Sequence, residues 1–141
     1  MLSHTCKTAI KAVIYLSGRN GDKIGIKEIS GRINASEHTV GKILQQLARK
    51  RIINSLKGPA GGFYLNEDQQ EQAIIHIVEA IEGDAVFREC GLGLSKCSAT
   101  HPCPIHNEYK VARELMEKIF RERKVGELRG SVTNGLAYLM D

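Results

Sequence analysis

Hydrophobic positions change their spacing several times along the chain, and each change predicts a change of element. Over residues 5–17, Ala9, Ile10, Ala12, Val13, Ile14 and Leu16 occupy nearly every side, which predicts a buried first helix ended at Gly18. Asn20, Gly21 and Asp22 mark a turn. Ile26, Ile29 and Ile33 then recur at helical spacing and predict a short amphipathic helix closed at Asn34. The Ser36 hydroxyl suits an N-cap. After it, Val40, Ile43, Leu44 and Leu47 form the inner stripe of a third helix, leaving His38, Thr39, Lys42, Gln45, Gln46, Arg49 and Lys50 outside it.

The period then shortens. Two apolar runs, 52–56 and 63–65, flank Lys57, Gly58, Pro59, Ala60, Gly61 and Gly62, a composition that demands a tight turn and so predicts a β-hairpin. Helical spacing returns with Ala73, Ile74, Ile77, Val78 and Ile81, predicting a helix over 68–83 that stops at Gly83. Residues 84–106 carry no period. Asn107 reads as the cap of a long helix over 107–124 with Tyr109, Ala112, Met116, Ile119 and Phe120 along one stripe, widened by Val111 and Leu115. Leu128, Val132, Leu136 and Leu139 predict a short helix in the tail. The expected fold is mainly α with a small β-hairpin wing: a winged helix-turn-helix DNA-binding domain over 1–83, a cysteine-rich loop over 84–106, and a dimerisation helix with tail over 107–141.

Composition narrows this. At 141 residues and 42% hydrophobic the chain can build one core with little margin, which favours a homodimer. A net charge of +4 permits contact with nucleic acid. No window is long and apolar enough to span a membrane, and Lys7 and Lys11 interrupt the apolar N-terminal stretch with no cleavage site after it. The expected location is therefore cytoplasmic, where the four cysteines read as ligands or redox groups rather than structural disulfides. A phosphate-binding glycine motif with its lysine, a nucleophile elbow and a His-Glu-x-x-His pair are all missing from the sequence, so neither an enzyme nor a small-molecule substrate is expected.

Two short helices joined by a tight turn and followed directly by a glycine-tipped hairpin form the winged helix-turn-helix order. A helix of this width enters the major groove of double-stranded DNA. Ser36, His38, Thr39, Lys42 and Gln46 stand at the end or face that would meet it, and Lys57 beside Gly58 and Pro59 puts a cation on a slim wing tip. Polar outer faces and glycine-rich turns are common in other proteins; the order of the elements is what points to DNA.

The loop holds Cys90, Cys97 and Cys103 with six and five residues between them, Gly91 and Gly93 beside the first, and His106 after the last. Thiolates are soft ligands for iron–sulfur clusters, zinc or copper(I). Structural zinc sites usually pair cysteines about two to four residues apart, and neither gap here is that short. Two of the three thiols could instead form a redox switch. A small iron–sulfur carrier would keep the cysteines but has no use for a recognition helix and wing.

The stretch from Ile33 to Leu65, above all Lys57 to Leu65, resembles the wing of the repressor family that includes the iron–sulfur regulator IscR and the nitric-oxide sensor NsrR, where it reads basic-Gly-Pro-x-Gly-Gly-aromatic. The resemblance extends over nearly the whole chain, from first helix to long last helix. It implies a homodimeric transcription repressor on a double-stranded operator, with Tyr109, Ala112, Met116 and Ile119 at the subunit seam. It further implies a 2Fe–2S or 4Fe–4S cluster on Cys90, Cys97 and Cys103 that senses iron, nitric oxide or redox state. His106 matches the histidine ligand of the IscR type. The first cysteine gap is one residue longer than is common in that family. In the NsrR type the fourth ligand resembles an acidic residue of the first helix; here that region reads His4, Thr5, Cys6, Lys7, Thr8, with no carboxylate, leaving Cys6 and His4 as outside candidates.

Overall fold

Ser3 starts the first helix by accepting the Cys6 N–H, and α1 runs His4–Ser17 in the computed structural model, which describes residues 1–95 and 98–141. The side-chain cap places the start one residue earlier than the apolar pattern alone implies. Helix α2 (Ile26–Ile33) ends where Asn34 takes a left-handed conformation with φ 53°. Helix α3 (Glu37–Arg49) is capped by Ser36, whose Oγ accepts the Thr39 N–H at 3.2 Å. Ala9, Ala12, Val13 and Leu16 of α1, Ile29 and Ile33 of α2, and Val40, Ile43, Leu44 and Leu47 of α3 are buried together as the main core.

The hairpin pairs β1 (Asn54–Leu56) with β2 (Gly62–Tyr64), antiparallel, Asn54 facing Tyr64 and Leu56 facing Gly62. The strands are shorter than the apolar runs because Ile52, Ile53 and Leu65 are buried in the main core beyond the ladder. Ile24 exchanges two backbone hydrogen bonds with Phe63, at 2.9 and 2.8 Å, which pins the wing to the segment before α2. At Gly62 φ is +147°, and a Cβ there would lie 2.8 Å from the Ile24 backbone, so the approach requires glycine.

The helix expected over 68–83 is two helices. Asn66, rather than Asp68, caps α4 (Glu67–Gln70) in a capping box with Gln69, and α5 (Ile75–Glu82) begins after a break. In the break the Val125 N–H donates to Gln72 O at 2.9 Å, the Ile74 N–H donates to Arg123 O at 3.0 Å, and Ala73 bridges Lys124. A distant segment claims these backbone groups, and local periodicity cannot register that. The last long helix, α6, spans His106–Glu122 with Ile105 at its N-cap, so Asn107 lies inside the helix and caps nothing. It ends before residue 124 because Arg123 turns extended to make the bridge. The tail forms α7 (Val125–Thr133), and Val125 is fully buried in the main core. A second cluster joins Cys6 of α1, Ile75 and Val78 of α5, and Val86 and Phe87 of the turn after α5 to Met116 and Phe120 of α6. The Phe87 and Phe120 rings stand 5.9 Å apart, tilted. Among the described residues no helix is long and apolar enough to cross a membrane.

Candidate functional site

The outward face of α3 carries His38, Lys42, Gln45 and Arg49, all exposed and spaced one turn apart. Ser36 and Thr39 bond each other at the helix start, Oγ to Oγ1 at 2.8 Å. Gln46, expected on the reading face, is half-buried and its Nε2 donates to Ala80 O at 3.0 Å. That amide ties α3 to α5. Lys57, Gly58 and Pro59 are exposed at the wing tip. Between α3 and the wing lies a hollow of about 560 Å³ whose lining includes Gln45, Arg49, Ser55, Leu56 and Lys57. Gln45 and Arg49 stand outside the expected reading set; their signal in the sequence is their place on the stripe of His38 and Lys42. The arrangement offers cations and amide donors along a groove-sized helix and a flanking wing.

On the side of α6 opposite the exposed Val111, Leu115 and Ile119, the cysteine segment folds back on itself. Cys90 and Cys103 are buried, and so is His106, the first residue of α6, whose N–H donates to Cys103 O at 3.0 Å. The Cys90 Sγ accepts the Leu92 N–H at 3.4 Å. That amide first, then the amide of Leu94, hold the Cys90 thiol below its ordinary range against burial, which raises it; the Cys103 thiol and the Gly93 amide hydrogen-bond to Cys90 as well. Gly93 makes this turn with φ +76°. Cys90 is thus a sulfur prepared to carry negative charge. Cys6 is the opposite: burial, then the charge and hydrogen bonding of Glu82, push it up to about 12. It is an apolar core residue, and His4 beside it is exposed.

Cys97 lies outside the described residues. Among the described residues no three of His, Cys, Asp and Glu converge to hold a metal ion, so Cys90, Cys103 and His106 do not by themselves form such a group. Two thiols in mutual contact, with backbone N–H groups aimed at one sulfur, nonetheless fit soft-metal ligation at two of the three expected cysteine positions.

Two of the four residues expected at a subunit seam are engaged within the chain. Met116 packs on the second cluster, and the Tyr109 ring lies against Gly91, where a Cβ would come within 2.6 Å of it. Met116 is drawn inward because α6 packs against α5 and the Ala85–Phe87 turn. Ala112 and Ile119 are exposed, in line with Val111 and Leu115, and Val111, Leu115 and Ile119 keep 67%, 59% and 50% of their surface open.

Residues 2–130 match the Rrf2 family, described as iron-dependent transcriptional regulators. An HTH-type transcriptional regulator of Aquifex aeolicus is 27% identical over 131 residues, covering 91% of this chain and 90% of that protein. In fold, the chain is similar to CymR, the global cysteine regulator of B. subtilis, with a TM-score of 0.76 at 16% identity over 94% of this chain and 98% of the other. It is also similar to IscR of T. potens, with a TM-score of 0.72 at 16% identity over 97% and 92%.

Proposed function

Because the chain belongs to the Rrf2 family of iron-dependent transcriptional regulators, we propose that it is a homodimeric, DNA-binding repressor whose operator affinity follows the state of an iron–sulfur centre on its cysteine segment. The observation that carries this is the Cys90–Cys103 contact beneath the Leu92, Gly93 and Leu94 amides. Cys90, Cys97 and Cys103 would hold the centre, with His106 as the candidate for the remaining position. Once bound, such a centre supplies reversible one-electron and ligand-exchange chemistry.

The chain's own residues do the rest. The amides around Cys90 stabilise its thiolate and so keep it ready for soft-metal ligation. Cys103 precedes the first turn of α6, so a change at the thiols is adjacent to the helix bearing Val111, Leu115 and Ile119. That exposed apolar row is the surface on which a second copy would seat. His38, Lys42 and Lys57 would meet bases and phosphates, with Ser36 and Thr39 fixing the N-terminus of α3.

The test is anaerobic purification followed by iron and acid-labile sulfide analysis. Bound iron and sulfide are expected in the unaltered protein and largely lost in Cys90→Ser and Cys103→Ser, because a hydroxyl is a hard, poor replacement for a thiolate. Colourless protein without sulfide would refute the cofactor and leave DNA binding untouched. The same thiol contact favours a second reading, a dithiol switch. Cys90 and Cys103 would give up two protons and two electrons to hydrogen peroxide, forming one S–S bond and two waters. Mass spectrometry of peroxide-treated protein would then show the loss of two hydrogens in the peptide pair containing Cys90 and Cys103.

A further inference from the structure

We propose that Tyr109, Arg113 and Glu117, one longitudinal stripe of α6, are positioning residues that hold the Cys90 segment in register and transmit its state to the exposed face of the helix. The inference deepens the sensing reading above and rests on it.

The three side chains stand four residues apart and so lie one above another on the helix. They meet the cysteine segment in reversed order. The Tyr109 ring packs on Gly91, the Arg113 Nη1 donates to Glu89 O, and Glu117 accepts both Nη groups of Arg88 at 3.3 Å. Arg113 also lies over the Tyr109 ring, 6.0 Å from its centre, and Arg121 braces Glu117 from the next turn at 2.8 Å. The residue before Cys90 and the residue after it are both tied to α6.

Surface ion pairs alone would carry little weight. Two observations lift this set above that. The Arg113 contact is a charged donor on a backbone carbonyl, which fixes main chain rather than a second mobile side chain. At Gly91 any side chain would run into the Tyr109 ring, so the main chain there lies directly on the helix.

The helix that grips the segment also faces outward. Val111, Leu115 and Ile119 each follow a stripe residue by two positions, about 200° around the axis, on the far side of α6. Met116 and Phe120 lie between the two rows and pack on the second cluster. A shift of main chain at residues 88–91 therefore acts on a rigid rod whose opposite side is the apolar row. Expansion or loss of the cysteine site turns or slides α6 through this stripe.

The experiment uses full-length protein and two variants, Arg113→Met, which keeps the chain's bulk over Tyr109, and Glu117→Gln. Alkylation of Cys90 by iodoacetamide is followed by mass spectrometry in metal-depleted protein, with Cys6 as internal reference for global loosening. Affinity for a duplex selected by the unaltered protein from a random pool is measured with and without reconstitution by iron and sulfide. In Arg113→Met, Cys90 alkylation should rise about tenfold, as expected from losing one hydrogen bond to a charged group, while Cys6 stays protected. The ratio of reconstituted to depleted affinity should fall toward one. Glu117→Gln should change both in the same direction by less. Unchanged Cys90 alkylation in both variants overturns the positioning role, and a rise in alkylation with an unchanged affinity ratio overturns the transmission. Failure of the sensing reading looks different: the unaltered protein itself binds no iron or sulfide and shows a ratio of one, while Cys90 protection still depends on Arg113 and upholds the positioning role.

Discussion

The wing and the cysteine segment both turn on a glycine pressed against a neighbour, yet the two glycines are held in different ways. Gly62 meets main chain: a Cβ would sit 2.8 Å from Ile24 backbone atoms that are hydrogen-bonded to Phe63 and immobile within the core. Gly91 meets a half-exposed side chain, the Tyr109 ring. The helix–helix–hairpin half is locked by backbone and burial, whereas the cysteine segment is fastened by side chains. The sensing role proposed above would use that difference, because local opening then costs less at the cysteine segment than at α3 and the wing.

The largest expected effect breaks the comparison at its rigid end. Gly62→Ala combines a positive φ with a backbone clash and the loss of the Ile24–Phe63 pair, and should lower unfolding free energy by about 3 kcal/mol or more in a denaturant titration. Gly91→Ala should cost only about 1–2 kcal/mol of overpacking, since the Tyr109 ring can swing outward. Equal losses from the two would show that the halves are held alike.

Next in size is Lys57→Ala at the exposed wing tip, which should weaken binding to every duplex and reduce the slope of log affinity against log salt by about one. His38→Ala should instead alter sequence preference with little change in slope. An unchanged slope for Lys57→Ala would take the wing off the phosphate backbone.

The smallest effect belongs to acid. The Glu117 carboxyl is held below the usual carboxylate range, first by hydrogen bonding to Arg121 and then by the nearby charge of Arg88, against burial. A depressed native pKa stabilises above the ordinary carboxylate value and is lost as pH falls through the native one. Cys90 alkylation, corrected for the thiol's own titration with a Glu117→Gln control, should therefore rise as pH drops below about 4.5, before global unfolding.

What the sequence revealed and what it hid divide along the same line. The stripes of α1, α2 and α3, the Ser36 cap and the glycine-tipped hairpin were legible because periodicity and turn chemistry are local. The split of the 68–83 helix was not, since Gln72 and Ile74 spend their backbone groups on residues some fifty positions away. Gln46 read as an outward side chain because a helical wheel shows which face a residue lies on and does not show that Ala80 waits beside it. The cysteines suggest a site by identity alone, whereas the packing of Tyr109 on Gly91 and of Met116 on the second cluster joins residues too far apart for a local pattern to register.

The Ala73–Lys124 bridge also orders the birth of the protein. Val125, fully buried against the main core, and Arg129, whose Nη1 donates to Ser17 O, come from the end of the chain to finish what α1 begins. A nascent chain ending at residue 83 has α3 and the hairpin but lacks part of the floor beneath them. Val125 can complete that core only once α7 has been made, and by then the whole cysteine segment has already been made. Contacts of such long sequence separation slow folding, because loop closure must precede the packing that rewards it. Helix α3 and the hairpin therefore rest on a core that is completed only in a chain that already carries residues 84–106.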